Sequence, residues 1–157
     1  MIAIGSDHAG YELKKEIIDY LTRKGYEVKD FGTDSRETSV DYPDFGLLVA
    51  KSIQRGEYEK GIIICGTGIG ISISANKVPG IRAALCTNCY MARMSREHND
   101  SNVLALGSRV LGVDLALDIV DTWLKTGFKM DNHQRHKKRV DKIAEIEMKY
   151  LKTNAGE

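Results

Sequence analysis

Residues 62–77 read "IIICGTGIGISISANK". Three successive isoleucines suit a strand buried on both faces, and such strands belong to parallel sheets covered by helices. A cysteine ends the run, and three glycines follow within the next five residues. The helix-like stretch Ile69–Lys77 comes directly afterwards. Strand, glycine-rich turn and helix form one β-α unit, and this unit sets the pattern for the rest of the chain.

Working outward from it, strand-like runs recur at Ile2–Ser6, Tyr26–Phe31, Gly61–Cys65, Ile81–Cys86 and Val103–Gly107. Helices are predicted between and after them. Tyr11–Lys24 sets Leu13, Ile17 and Leu21 on one face and stops at Gly25, a helix-ending glycine. Pro43–Gln54 opens with Asp41 and Pro43 and closes at Gly56. Tyr90–Glu97 and Val113–Lys125 complete the series. Five such units with short links predict a parallel sheet with helices on both faces, because each crossover needs a helix. The polar stretch "NHQRHKKRVDKIAEIEMKYLK" then carries Val140, Ile143, Ile146 and Leu151, which suggests a last helix lying against a partner subunit.

Composition narrows the function classes. A length of 157 residues suits one domain with a sizeable core, here expected over 1–150 with 151–157 as a short tail. A net charge of +1 gives no global argument for nucleic acid or a membrane surface. No apolar run approaches the ~18 residues of a membrane span. Met1 leads straight into a strand with no basic region ahead of it, so no signal peptide is expected. Three cysteines without framework spacing fit a reducing cytoplasm.

Ligands of open α/β sheets bind beyond the carboxyl ends of the strands. Ser6-Asp7-His8, Cys65-Gly66-Thr67-Gly68 and Gly107-Ser108-Arg109 are expected there, whereas the end faced by His98 and Asn99 is left open. The glycine turn exposes backbone N–H groups and suits an anion, or else it simply packs a helix close to the sheet. It lacks the third glycine of G-x-G-x-x-G, and no acidic residue follows within twenty positions, so a dinucleotide site is not indicated. Cys65 reads either as a small core residue or as a base, since a thiol beside a helix start is biased toward thiolate. A thiolate facing amide donors can take a proton next to a carbonyl while those donors hold the oxyanion. His8 and His98 are surface residues or proton carriers. Arg135 and Arg139 share a helical face, as a solvated basic end or as a phosphate clamp. "CTNC", Cys86 to Cys89, admits three readings: packing, a redox dithiol, or half of a zinc site.

"GSDHAG", "DYPDFG", "CGTGIGISISANK", "GIRAAL", "SREHND" and "LALGSRV" together resemble the type B ribose-5-phosphate isomerases, a family grouped with galactose-6-phosphate and allose-6-phosphate isomerases. The resemblance runs from Met1 to about Tyr150. It implies a Rossmann-like three-layer α/β/α sandwich with a five-stranded parallel sheet and an extra C-terminal helix. It also implies a homodimer with active sites shared between subunits, and isomerisation without metal or organic cofactor. By position, Cys65 is then the base that works through a cis-enediolate. Thr67 and the backbone of Gly66, Gly68 and Gly70 hold the enediolate oxygens. His98 opens the furanose ring with help from Asp7, and Asn99 binds sugar hydroxyls. His8, Arg109, Arg135 and Arg139 contact the phosphate. Some members carry a glutamate inside the glycine loop instead of the cysteine; Ile69–Ile73 contains no acid, so the chain resembles the cysteine type. Other sugars remain open: a six-carbon phosphate, a free aldose, or a non-catalytic sugar-phosphate or dithiol domain. Tyr42 and Met91 are expected near the mouth. "CTNC" has no place in the family pattern.

Overall fold

A computed structural model describes residues 1–130 and 134–153. Five parallel strands form one sheet: β1 (Ile2–Ser6), β2 (Val28–Asp30), β3 (Lys60–Cys65), β4 (Ala83–Leu85) and β5 (Val103–Gly107), in the order β2-β1-β3-β5-β4. The helices are α1 (Tyr11–Arg23), α2 (Tyr42–Gln54), α3 (Ile69–Ala75), α4 (Cys89–Asn99), α5 (Val113–Lys125) and α6 (Arg135–Thr153). Strand order and handedness together explain the layers. The crossovers through α2 and α3 step one way along the sheet, and those through α1 and α4 step back. Right-handed connections must therefore lie on opposite faces. One core packs Leu13, Ile17 and Leu21 of α1 with Ala92 of α4 and Ile119 and Trp123 of α5 against Ile4, Ile62, Ile64 and Leu104. The other packs Val49 and Ala50 of α2 and Ile71 of α3 against Ala3, Ile63, Cys65 and Ala105. Alternate strand residues thus serve alternate faces, and Cys65 belongs to the α2/α3 side.

The inner strands match their sequence reading, but β2 and β4 are shorter than expected. Both are edge strands paired on one side only. At β4 the side chain of Asn76 occupies the open edge: its Nδ2 donates to the Ala83 carbonyl at 2.9 Å and its Oδ1 accepts from the Ala83 N–H at 2.8 Å. That amide substitutes for a sixth strand and blunts further pairing. The loop after β2 is anchored by Lys14, which is buried and donates to Asp30 Oδ2 at 2.7 Å and the Thr33 carbonyl at 2.6 Å. Helix α6 continues past the predicted boundary at residue 150 and rests on α4. Among the described residues no helix is long and apolar enough to cross a membrane.

Candidate active site

The register of the sheet sets three strand ends abreast. Ser6 pairs with Ile64, and Cys65 pairs with Gly107, so the loops after β1, β3 and β5 meet at one edge. The chain leaves β1 toward α1 on one face and β3 toward α3 on the other, which opens a crevice between them. Cys65 ends β3 at this edge and is 4% exposed in the single chain. The N–H of Gly68 donates to Cys65 Sγ at 3.1 Å, and the N–H of Ile69 donates to Thr67 Oγ1 at 3.3 Å. An amide aimed at sulfur fixes the side chain and complements negative charge on it.

The glycines are required by close approach. Gly68 has φ +77°, and a β-carbon there would stand 2.8 Å from the Leu106 carbonyl carbon. At Gly107 it would stand 2.6 Å from the Thr67 carbonyl oxygen. Arg109 folds over Gly66, and the Tyr42 ring packs on Gly70. Asp7 is buried and its Oδ1 accepts from the Gly10 N–H at 3.0 Å, which holds the β1 loop closed. The Val40 N–H donates to His8 Nδ1 at 3.2 Å, leaving Nε2 to carry the proton of the neutral ring. Asp7, His8, Cys65, Gly66, Thr67, Gly68, Gly70 and Arg109 are therefore gathered at this end.

His98, Asn99, Arg135 and Arg139 are not among them. Helix α4 runs back along the sheet and ends just before β5 begins, and the Gly61 N–H at the start of β3 donates to the Asn102 carbonyl at 2.9 Å. His98 and Asn99 thus sit at the amino ends of the strands. Gly61 and Cys65 are the ends of five paired positions, four steps or on the order of 13 Å of strand apart. Arg135 and Arg139 begin α6, whose His136 stacks on His98 with ring centroids 4.1 Å apart. The expected site residues of one chain therefore fall into two groups at opposite ends of its sheet. A cavity of about 770 Å³ lies at the second end, lined by Ile81, Ala83, Asn99, Ile143, Ile146 and Tyr150. Val140 is half-buried, while Ile143, Ile146 and Leu151 are exposed along α6. Apolar side chains are exposed at the first end as well: Tyr42, Ile69, Ile73 and Val110. Met91 is exposed on α4, beside Leu85 and Cys86 at the end of β4.

"CTNC" is packing. Cys86 is buried in the α1/α4/α5 core, and burial pushes its thiol up to about 11, the opposite of an attacking dithiol. Cys65, Cys86 and Cys89 are all free. Among the described residues no three His, Cys, Asp or Glu side chains converge where a metal could sit.

Two residues went without a role in the sequence reading. Ser108 Oγ donates to the Ala9 carbonyl at 2.7 Å and lies 3.1 Å from the Cys65 carbonyl, while its N–H donates to that carbonyl at 2.9 Å. It clamps all three loops, and its only sequence signal was a hydroxyl residue just past a strand end. His136 lies inside "RHKKRV", where the flanking arginines carry the stronger signal.

The family model for ribose/galactose isomerase matches residues 2–143. The ribose-5-phosphate isomerase B of Escherichia coli (strain K12) is 51% identical over 148 residues, covering 94% of this chain and 97% of that protein. A D-erythrulose-4-phosphate isomerase of Pectobacterium atrosepticum is 46% identical over 82% of this chain and 84% of its own length. The solved structure of a Clostridium thermocellum ribose-5-phosphate isomerase B superposes with TM-score 0.91 at 69% identity, covering 95% of this chain and 98% of that one.

Proposed function

The chain belongs to the ribose/galactose isomerase family, and we infer that it interconverts ribose 5-phosphate and ribulose 5-phosphate with Cys65 as the carbon base. The observation that carries the role of Cys65 is its sulfur, set at a strand end against the Gly68 amide with Thr67 and further glycine amides around it. With the sugar chain open, sulfur takes the proton from C2. The released electron pair forms the C1–C2 double bond, and charge collects on O1. The amides of Gly66 and Gly70 and the Thr67 hydroxyl receive that charge, while the Gly68 amide steadies the sulfur. Returning the proton to C1, with the O2 proton passing to O1, yields the ketose. No electron leaves the substrate, so the cycle needs no redox partner.

The two half-sites support a homodimer. A two-fold axis that sets the His98 end of one subunit over the Cys65 end of the other builds two complete sites from self-complementary surfaces. His98 then opens the furanose ring with Asp7 assisting, Asn99 binds hydroxyls, and Arg135 and Arg139 join His8 and Arg109 around the phosphate. The exposed apolar residues at both ends supply the contact. Three free thiols suit the reducing cytoplasm.

Two measurements test this. Turnover of four-, five- and six-carbon aldose phosphates and of free aldoses, with EDTA present, should be fastest on ribose 5-phosphate; thiol cycling without isomerisation would overturn the reading. Mixing inactive Cys65→Ala chains with His98→Ala chains, which keep only the slow turnover of open-chain sugar, should raise activity to about a quarter of the parent's, because half the random dimers hold one intact site. No recovery would place both residues in one chain's site.

A further inference from the structure

We propose that His136 is the positioning residue for His98, holding its imidazole in the plane from which it serves the ring oxygen. His136 is 3% exposed, and among the described side chains of α6 it alone is buried. Its neighbours Arg135, Lys137, Lys138 and Arg139 all face solvent. Burying an imidazole in an otherwise solvated helix is unfavourable unless its surroundings compensate. Here its ring lies flat against His98, with centroids 4.1 Å apart and planes 9° from parallel.

His98 occupies the last turn of α4 and is half-buried, so its ring would otherwise turn about its side-chain bonds. A flat contact across one whole face removes that freedom. The same contact ties α6 to α4 one residue after Arg135 and three before Arg139. His136 thus sets the spacing between the group that opens the ring and the pair that grips the phosphate. A misplacement of about 1 Å between such groups costs on the order of a hundredfold in rate.

The proposal rests on the isomerase reading, and its test separates the two. Full-length His136→Leu, His136→Phe, His98→Asn and the double variant His98→Asn/His136→Leu are compared for kcat and KM on ribose 5-phosphate. The open-chain fraction of the sugar still reacts without a ring opener, so His98→Asn keeps measurable turnover. His136→Leu fills the space without a flat face and should lower kcat by about ten- to a hundredfold, with melting close to the parent. His136→Phe restores the face and should recover most of that loss. In the His98→Asn background, His136→Leu should change the rate less than about twofold, because the two act as one unit. Equal fractional losses in both backgrounds, or full activity in His136→Leu, would overturn the positioning role. Absence of turnover in the parent would instead overturn the isomerase reading. In that event the proposal is still decided by the His98 ring-proton resonances, which should lose a ring-current shift in His136→Leu and keep one in His136→Phe; unmoved resonances in both would refute the stack.

Discussion

Replacing Cys65 with alanine is expected to lower kcat on ribose 5-phosphate by on the order of a thousandfold or more, the usual scale for loss of a positioned base. The fold should persist. Cys65 packs among aliphatic side chains of the α2/α3 core, and trading its sulfur for hydrogen leaves a void of about one atom, at a cost of ~1 kcal/mol. Binding of the phosphosugar, measured by calorimetry, should change little, because the phosphate contacts lie elsewhere. Cys65→Ser preserves shape but offers a far less acidic group, so it should be nearly as slow. Substantial turnover by the alanine variant would remove Cys65 from the chemistry.

Gly68→Ala should damage stability and rate together. An added β-carbon would meet Leu85 Cδ1 at 2.5 Å, the Leu106 carbonyl carbon at 2.8 Å and its oxygen at 3.0 Å. The leucine tip can swing aside; the strand carbonyl cannot. A left-handed backbone at φ +77° adds its own cost of roughly 1–2 kcal/mol for a residue with a side chain. Strain and overpacking together amount to about 2–4 kcal/mol, seen as a fall of several degrees in the melting temperature. Whatever relief the loop finds also moves the Gly68 N–H away from Cys65 Sγ, so kcat should drop by about a hundredfold. Unchanged melting together with unchanged turnover would show that this turn is not under the constraint described.

How much of this was legible in advance follows the reach of each interaction. β5 has its expected bounds and β3 gains only Lys60, because strands buried on both faces announce themselves in composition. β2 and β4 lose residues at both ends because each is paired on a single side, β2 with β1 and β4 with β5, so the length of each is set by that one neighbour. Helix α4 starts at Cys89, one residue earlier than its periodicity suggested, because Asn88 Oδ1 accepts from the Met91 N–H at 2.9 Å. The Cys65 end of the site could be collected from the chain, since each member follows a strand directly. The location of His98 could not, because it depends on strand order. Its stacking partner could not either, because a helix joined by a long connection can lie against several surfaces.

Gly107 meets the Thr67 carbonyl at the end of β5. The loop after β3 is wedged against a strand end, leaving no room for a side chain between them, and Ser108 fastens it from the other side. Its dipoles acquire their final orientation as the polypeptide collapses. An enediolate formed here, as proposed above, would meet donors that are already oriented. Selectivity among sugars can then drift in the outer loops while this inner cradle stays rigid.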